Sequence, residues 1–280
     1  MEEVKANLGK VQKSALEVSK WFFDVVTKDG ICLIAYAATI RWKGISVPFC
    51  SVMVSESEKK SISKSSFKRV EWPEYDDKRI KWFSNSVGVS GVWQQQGDSL
   101  KEVLFHSDEG SLGWHCLQSC SDVNVQLSNM KRYTGKGYVE HLLLTVEPWR
   151  INIDQLRWGH FFTDSIHMVW IDFMGDDPKR WVWYNGKRFE ASVLNDHEIV
   201  ISQLALTLRL EYSRELEHGQ KIATVVKKLL HFLPGFNRIM PDSFLMAKET
   251  KWLSKGKLLQ NALEQQEGWA VHELVDFTKN

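Results

Sequence analysis

Three carboxylates lie inside apolar, aromatic segments of the chain, where a globular protein seldom places a charge. Asp24 lies in WFFDVV, Glu140 in GYVEHLLL and Asp172 in MVWIDFM. Strand alternation would put Asp24 on the same side as Phe22 and Val26. Because burial against apolar walls raises a carboxyl pKa by up to several units, such a group can keep a proton near neutral pH. We treat the three as candidate acids; each could instead be a structural carboxylate that accepts backbone or arginine hydrogen bonds.

Aromatic side chains accompany these acids, in a chain with 13 Trp and 14 Phe. Alternation places Trp170 on the side of Asp172 and Tyr138 on the side of Glu140. The faces of Trp and Tyr stabilise a cation by roughly 0.5–2 kcal/mol each, although the same residues could form an ordinary aromatic core. Arg157 could neutralise Asp154 or Asp172, which would lower the pKa of that carboxyl and remove it from the candidate acids. The candidate substrate-contacting residues are Trp21, Tyr138, Trp158, Trp170 and His160.

Composition and motifs exclude several other classes of function. A formal net charge of +1 gives no overall electrostatic attraction to nucleic acid, so nucleic-acid binding is not expected. No histidine pair has metal-site spacing, and no phosphate-binding, dinucleotide-binding or Gly-x-Ser-x-Gly motif occurs, so we expect neither a metal nor an organic cofactor. The four cysteines favour a reducing compartment, and the first twenty residues lack an apolar segment of signal-peptide length. The expectation is a cytoplasmic protein.

The elements that would position these residues are mostly strands. Two β-rich runs, Trp21–Val26 and Ile31–Ile40, flank a Thr-Lys-Asp-Gly turn, and Asn185-Gly186 marks a second hairpin. Short strands at roughly ten-residue spacing predict an all-β barrel or sandwich. Two segments, Ile222–Leu233 and Thr250–Gln266, are predicted to be partly helical.

The two halves of the chain share a weak internal similarity. KWFFDVVTKDG and MVWIDFMGDDP each place Trp and Asp in an aromatic strand that ends in an acidic turn. Such a duplication would put a boundary near Glu147-Pro148. The predicted organisation is an N-terminal arm over residues 1–16, a first barrel over 17–148 and a second over 149–280.

Several motifs resemble the carotenoid 1,2-hydratase (hydroxyneurosporene synthase) family. SKWFFDVVTKDG followed by CLIAYAATI resembles the opening of the family's first barrel, and YTGKGYVEH resembles its Gly-x-Gly-Tyr-x-acid segment. LRWGHF and VWIDF resemble strands that open the second half. A Leu142–Leu144 run stands where the family commonly has Asn-Trp-Gly. The resemblance implies two lipocalin-like antiparallel β-barrels in tandem, with minor helices.

Taken together, these features predict a cofactor-independent enzyme that acts on a hydrophobic isoprenoid or polyene by acid-initiated hydration or cyclisation. Two alternatives stay open, namely a pericyclase that works by shaping its substrate and a carrier of a lipophilic molecule. The basic, apolar segment Lys227–Met240 could make transient membrane contact or could be an ordinary connector.

Overall fold

The first of two antiparallel sheets is built from the first half of the chain. The computed structural model describes residues 16–56, 61–221 and 241–278. In space the ten strands follow the order β4-β3-β2-β1-β10-β9-β7-β6-β5, with β8 paired to β9. The strands are β1 (Leu16–Val26), β2 (Cys32–Trp42), β3 (Ile45–Ser55), β4 (Ile62–Ser66), β5 (Glu74–Asp76), β6 (Arg79–Ser84), β7 (Val89–Gln95), β8 (Leu100–Ser107), β9 (Gly110–Leu127) and β10 (Arg132–Leu144).

The second sheet has nine strands in the order β14-β13-β12-β11-β19-β18-β17-β16-β15. Its first strand therefore pairs with its last, as β1 pairs with β10 in the first sheet. The strands are β11 (Ile153–Phe162), β12 (His167–Gly175), β13 (Lys179–Tyr184), β14 (Lys187–Glu190), β15 (Val193–Leu194), β16 (Glu198–Ile201), β17 (Leu206–Lys221), β18 (Lys248–Gln260) and β19 (Leu263–Asp276). The described helices are Pro148–Arg150, Ser202–Leu204 and Asp242–Met246.

Each sheet contributes apolar side chains from both of its faces. One face lies in a core formed by that sheet alone, and the other face packs on the other sheet. Phe23 of β1 belongs to a core made by the first sheet alone. Its neighbour Phe22 points the other way and joins Trp158 and Phe162 of β11 in a core shared by both sheets. A third core, which includes Trp170, is made by the second sheet alone. The shared core is where the two halves of the chain meet.

The fold class expected from the sequence, all-β with two lipocalin-like antiparallel sheets and minor helices, is confirmed. The first hairpin and the Asn185-Gly186 turn are both present, the latter with φ of 45° and 77°. The predicted helical character of Thr250–Gln266 is wrong, because β18 and β19 form a hairpin there. Residues 1–15 of the predicted arm and the segments Ile222–Leu233 and Lys227–Met240 lie outside the described residues.

No helix among the described residues is long and apolar enough to cross a bilayer. The exact limits of the two predicted domains stay a prediction, because the shared core draws on strands of both sheets.

A bulge in β10 brings that strand unusually close to β1. The pairing of β10 with β9 shifts register between Gly137 and Val139. A Cβ atom placed on Gly137 would collide with the carbonyl oxygen of Asp24. Glycine at this position therefore permits the close approach of the two strands.

We expect Gly137→Ala to lower the free energy of unfolding by about 1–3 kcal/mol, because main-chain atoms must move to make room. Gly113→Ala is the matched control on β9, since an added Cβ there has only Leu143 O nearby, at 3.8 Å. Urea denaturation of the two variants checks this. Equal stability of both would contradict the close approach.

His272 on β19 should make stability depend on pH. Its ring stacks on Trp252 at 5.1 Å and hydrogen-bonds the Ser254 hydroxyl at 2.7 Å. Burial lowers the pKa of His272 to about 3, from an ordinary value near 6.5. Between those two values the unfolded chain binds a proton that the folded chain rejects. Stability is therefore lost as the pH falls from 6.5 towards 3.

The destabilisation caused by His272→Gln at neutral pH should consequently shrink as the pH is lowered, by up to about 1.4 kcal/mol per pH unit. Denaturation curves at several pH values measure the gap between variant and wild type. His106→Gln, at an exposed position on β8, serves as the control. A gap that is constant with pH would show that folding does not lower the pKa of His272.

Candidate functional site

The centre of the shared core contains a buried pair of ionisable side chains, one from each sheet. His160 Nε2 of β11 lies 2.6 Å from Asp24 Oδ2 of β1, and neither side chain is exposed to solvent. Asp24 Oδ1 accepts a second hydrogen bond from the Tyr138 main-chain N–H at 2.8 Å. A carboxylate only accepts, so an ionised Asp24 requires the Nε2 hydrogen on His160. Asp24 thus orients the imidazole, and Nδ1 is the ring nitrogen left for other partners.

The imidazole of His160 is surrounded by aromatic rings. It stacks on Tyr138 with ring centroids 4.6 Å apart and on Phe162 at 5.7 Å, while Trp158 contacts it edge-on at 5.7 Å. Two buried polar atoms of this group, His160 Nδ1 and Trp158 Nε1, have no hydrogen-bond partner among the described residues. A buried polar atom without a partner is costly, so sites of this kind often meet a ligand or an ordered water molecule.

Glu140 forms a second buried polar group beside the pair. Its Oε2 accepts hydrogen bonds from Trp114 Nε1 at 2.6 Å and from the Tyr138 hydroxyl at 2.8 Å. Burial raises the pKa of the Tyr138 phenol well above its ordinary value, with nearby Cys116 and Glu140 adding to the effect. The phenol therefore keeps its proton and donates a hydrogen bond to Glu140. This bond fixes the ring that stacks on His160.

The strand register explains why these residues meet. Phe22 pairs with Glu140 across β1 and β10, so both side chains face the second sheet. Alternation then turns Asp24 to that same face, as the sequence predicted. On β11, Trp158 and His160 face the first sheet, and Phe22 and Trp158 touch with ring centroids 5.1 Å apart. Five of the eight predicted site residues are consequently brought together: Asp24, Tyr138, Glu140, Trp158 and His160.

The other three predicted residues lie elsewhere. Asp172 and Trp170 are on the opposite face of β12, towards the core made by the second sheet alone. Asp172 is paired with Arg180 at 3.2 Å and 3.3 Å, whereas Arg157 pairs with Asp196 at 3.0 Å. Trp21 packs on Phe23 in the core of the first sheet. The structure thus separates Asp172, Trp170 and Trp21 from the buried pair, because alternation defines two faces of a strand without saying which core each face joins.

A cleft of about 1100 Å³ opens between the sheets at one end of this group. Val26 and Phe162 lie at its floor, and each is two residues beyond a member of the buried pair on the same strand and face. The Phe162 ring separates the cleft from His160. The cleft volume suits a molecule of several hundred daltons. Apolar lining residues are Val26, Ile31, Tyr133, Phe162 and Trp269, and charged ones include Lys28, Lys136, Lys255, Asp164 and Glu267.

A third polar group at the sheet interface was not predicted from the sequence. Lys251 of β18 is 1% exposed and donates to Tyr36 of β2 and to Glu249, with Glu273 of β19 also within ion-pair distance. The signal was present in GWAVHELVDF, where Glu273 alternates with Val271 and Val275 on a strand with apolar residues. Among residues 16–56, 61–221 and 241–278, no cluster of His, Cys, Asp and Glu has the arrangement of a metal site.

Comparison with known proteins identifies the fold. No protein-family model matches the chain, and no curated protein sequence matches it. Solved structures with similar folds include the Nitrosomonas europaea protein NE1406, with a TM-score of 0.53 and 9% identity over 95% of this chain and 94% of that one. CghA in complex with Sch210972 gives a TM-score of 0.52 and 9% identity over 94% and 89%. Kievitone hydratase from Nectria haematococca gives 0.50 and 10% over 94% and 89%.

Likeness at 9–10% identity establishes a shared fold and assigns no activity. The tandem lipocalin-like architecture implied by the resemblance to carotenoid 1,2-hydratases is therefore present in this chain. The similarity extends over both sheets, so the buried pair between them lies within the shared architecture.

The geometry of the pair predicts the tautomer of His160. In the wild type, the hydrogen on the neutral ring should sit on Nε2, facing Asp24. In Asp24→Asn, the amide nitrogen can face the imidazole and the hydrogen should move to Nδ1. Ring ¹⁵N chemical shifts of labelled protein distinguish the two tautomers. The same tautomer in both proteins, with the fold intact, would show that Asp24 does not orient the ring.

Proposed function

We propose that this protein is a cofactor-independent enzyme that adds water to, or cyclises, an apolar unsaturated molecule held between its two sheets. Its proton-exchanging atom is His160 Nδ1, and Asp24 acts through His160. The observation that carries this proposal is a fully buried carboxylate–imidazole pair, with Nδ1 unpartnered among the described residues, one residue layer below a large cleft.

The surroundings of His160 suit proton transfer to or from carbon. Neutral His160 can take the proton of an adding water molecule at Nδ1, and protonated His160 can give one from the same atom. In both cases Asp24 holds the Nε2 side of the ring, which leaves Nδ1 as the exchanging atom. Tyr138 and Trp158 both contact the imidazole, and an aromatic face turned to a carbocation formed beside it would contribute roughly 0.5–2 kcal/mol of cation–π attraction. Glu140 holds the Tyr138 ring in that position.

Access to His160 passes through the cleft. A substrate seated there contacts Phe162, which stacks on His160 at 5.7 Å. Movement of the Phe162 ring would open a route from the cleft to the imidazole while the surrounding core keeps bulk water out. Exclusion of water matters because a carbocation is otherwise quenched without control.

The comparisons support the general class of this proposal. One of the similar folds is a kievitone hydratase, and the motif resemblance is to carotenoid 1,2-hydratases. Both names denote hydratases, which are enzymes that add water. Because the motif resemblance is to carotenoid hydratases, isoprenoids and polyenes are the first class of substrate to test. The residue that this chain offers for that chemistry is His160.

The reaction is tested by incubating the protein with a panel of isoprenoids and polyenes in ¹⁸O-labelled water and analysing the products by mass spectrometry. A product that carries the heavy oxygen indicates hydration, and an isomeric product of unchanged mass indicates cyclisation. Recovery of every compound unaltered but bound would overturn the enzyme proposal in favour of a carrier.

His160→Phe and Asp24→Asn should each reduce turnover by at least about 100-fold, which is the usual contribution of general acid–base catalysis. Asp172→Asn is the matched control, because that carboxylate faces a different core and is paired with Arg180. It should keep the wild-type rate if the variant is folded. A cyclisation that survives loss of both His160 and Asp24 would indicate a pericyclase that works through shape alone.

A further inference from the structure

The cleft between the sheets holds positive charge that the chain itself does not neutralise. Each of its four acidic residues already has a partner: Asp122 bonds Lys136 at 2.8 Å, Asp164 lies close enough to Lys136 to interact with its charge, Glu267 is 3.9 Å from Lys257, and Asp29 accepts a hydrogen bond from the Thr27 hydroxyl. Three of its five basic residues have no carboxylate within ion-pair distance among the described residues, namely Lys28, Arg132 and Lys255. An anion that enters the cleft therefore meets unpaired cations, whereas a cation meets carboxylates that are already engaged.

Lys255 differs from the other two cations because it lies over an aromatic ring of the cleft. Its ammonium is 5.8 Å from the centre of the Trp269 ring. The two residues are cross-strand neighbours on β18 and β19, so their side chains share one face of the second sheet. That face is turned to the first sheet, since Trp269 packs against the shared core. The Lys255 side chain is otherwise exposed, which leaves its ammonium open to a molecule in the cleft.

The Trp269 ring is held in place by the opposite sheet. Gly30 lies in the turn between β1 and β2 with φ of 79°, and a Cβ atom placed on it would be 2.6 Å from Trp269 Cη2. The turn therefore packs against one edge of the indole. This contact makes Trp269 a wall of the cleft before any ligand binds, which reduces the cost of ordering the site.

A line of neighbouring side chains connects the Lys255 ammonium with the buried pair. Trp269 is the cross-strand neighbour of Phe162, and the Cβ atoms of such neighbours are about 5 Å apart. Phe162 in turn stacks on His160 with ring centroids 5.7 Å apart. The order along the cleft is therefore an ammonium at the exposed end, two aromatic rings along the wall and the imidazole behind them.

We propose that this cleft is a binding site for an elongated apolar carboxylic acid, whose carboxylate pairs with Lys255 while its chain lies along Trp269 and Phe162. The binding itself needs no reaction, and the statement that this acid is the substrate rests on the proposed function. A lysine ammonium is a compact point charge that pairs well with one carboxylate. A phosphate group, with up to two negative charges, would be repelled more strongly by Asp164 and Glu267, which also line the cleft.

The paired carboxylate determines which end of the molecule approaches the core. An ionised carboxylate is stable beside Lys255 at the exposed end of the cleft and very unfavourable among the aromatic rings that surround His160. The other end of the chain is therefore the one that reaches Phe162, which is two residues, or about 7 Å of strand, from His160. The reacting double bond consequently lies in the part of the chain remote from the carboxylate.

The site is tested by equilibrium dialysis of the full-length protein with farnesoic acid, a polyunsaturated isoprenoid acid, and with its methyl ester. The ester keeps the apolar chain and removes the charge. The acid should bind at least about fivefold more tightly than the ester, and added salt should reduce this preference. Lys255→Met should lower the affinity for the acid to that for the ester and leave the affinity for the ester unchanged.

Two further variants separate the head group from the chain. Lys248→Met, at an exposed position of the same strand outside the cleft, should keep the preference for the acid. Trp269→Leu should weaken binding of the acid and the ester alike, because it removes apolar wall. Equal affinity of the wild type for both compounds, a preference that Lys255→Met retains, or unchanged binding by Trp269→Leu would overturn the inference.

Turnover in ¹⁸O-labelled water distinguishes failure of this inference from failure of the proposed function. A hydrated product should carry the heavy oxygen at the end of the chain remote from the carboxylate. An acid that binds through Lys255 and is never converted would keep the binding site and count against the proposed function. Conversion of the ester at the same concentration dependence as the acid would leave the proposed function standing and refute the role of Lys255.

Discussion

The hydrogen bond between Asp24 and His160 is the constraint around which this structure is organised. A carboxylate in an apolar core is tolerated only with a well-placed partner, and here the partner comes from the other sheet. The requirement fixes how the sheets face each other, because the bond holds only when β1 and β11 keep their present alignment. The aromatic layers of Phe22, Trp158 and Phe162 then fall into contact on either side of it.

The same interface serves both stability and the proposed chemistry, and the two uses compete. Packing between the sheets is dense at Trp158 and His160 and opens at the cleft. Binding a substrate against His160 must therefore replace existing aromatic contacts with equivalent ones. An apolar ligand with extended π surface can do this, whereas a polar one would leave the aromatic faces poorly covered. Under the proposed function, the interface would select its ligand through the contacts that the ligand must replace.

Much of the fold could be predicted from local pattern, and much of the site could not. Hairpin signals and alternation gave the strands and correctly turned Asp24 to the side of Phe22. They could not say that Asp172, in an equally apolar strand, faces a different core. The partner of Asp24 lies 136 residues away, which no local rule reveals. The Lys251 group was missed because KWLSKGKLLQ carries apolar residues at spacings compatible with either a helix or a strand.

The pairing of the first strand of each sheet with the last has a consequence for how the chain acquires its site. During synthesis, β1 has only β2 beside it until β10 has been made, and β11 likewise waits for β19. Contacts of such long sequence separation form slowly. Asp24 therefore spends a large part of translation without its hydrogen-bond partner His160. The nascent first half therefore leaves uncovered the apolar face that later joins the shared core, until the second sheet has formed.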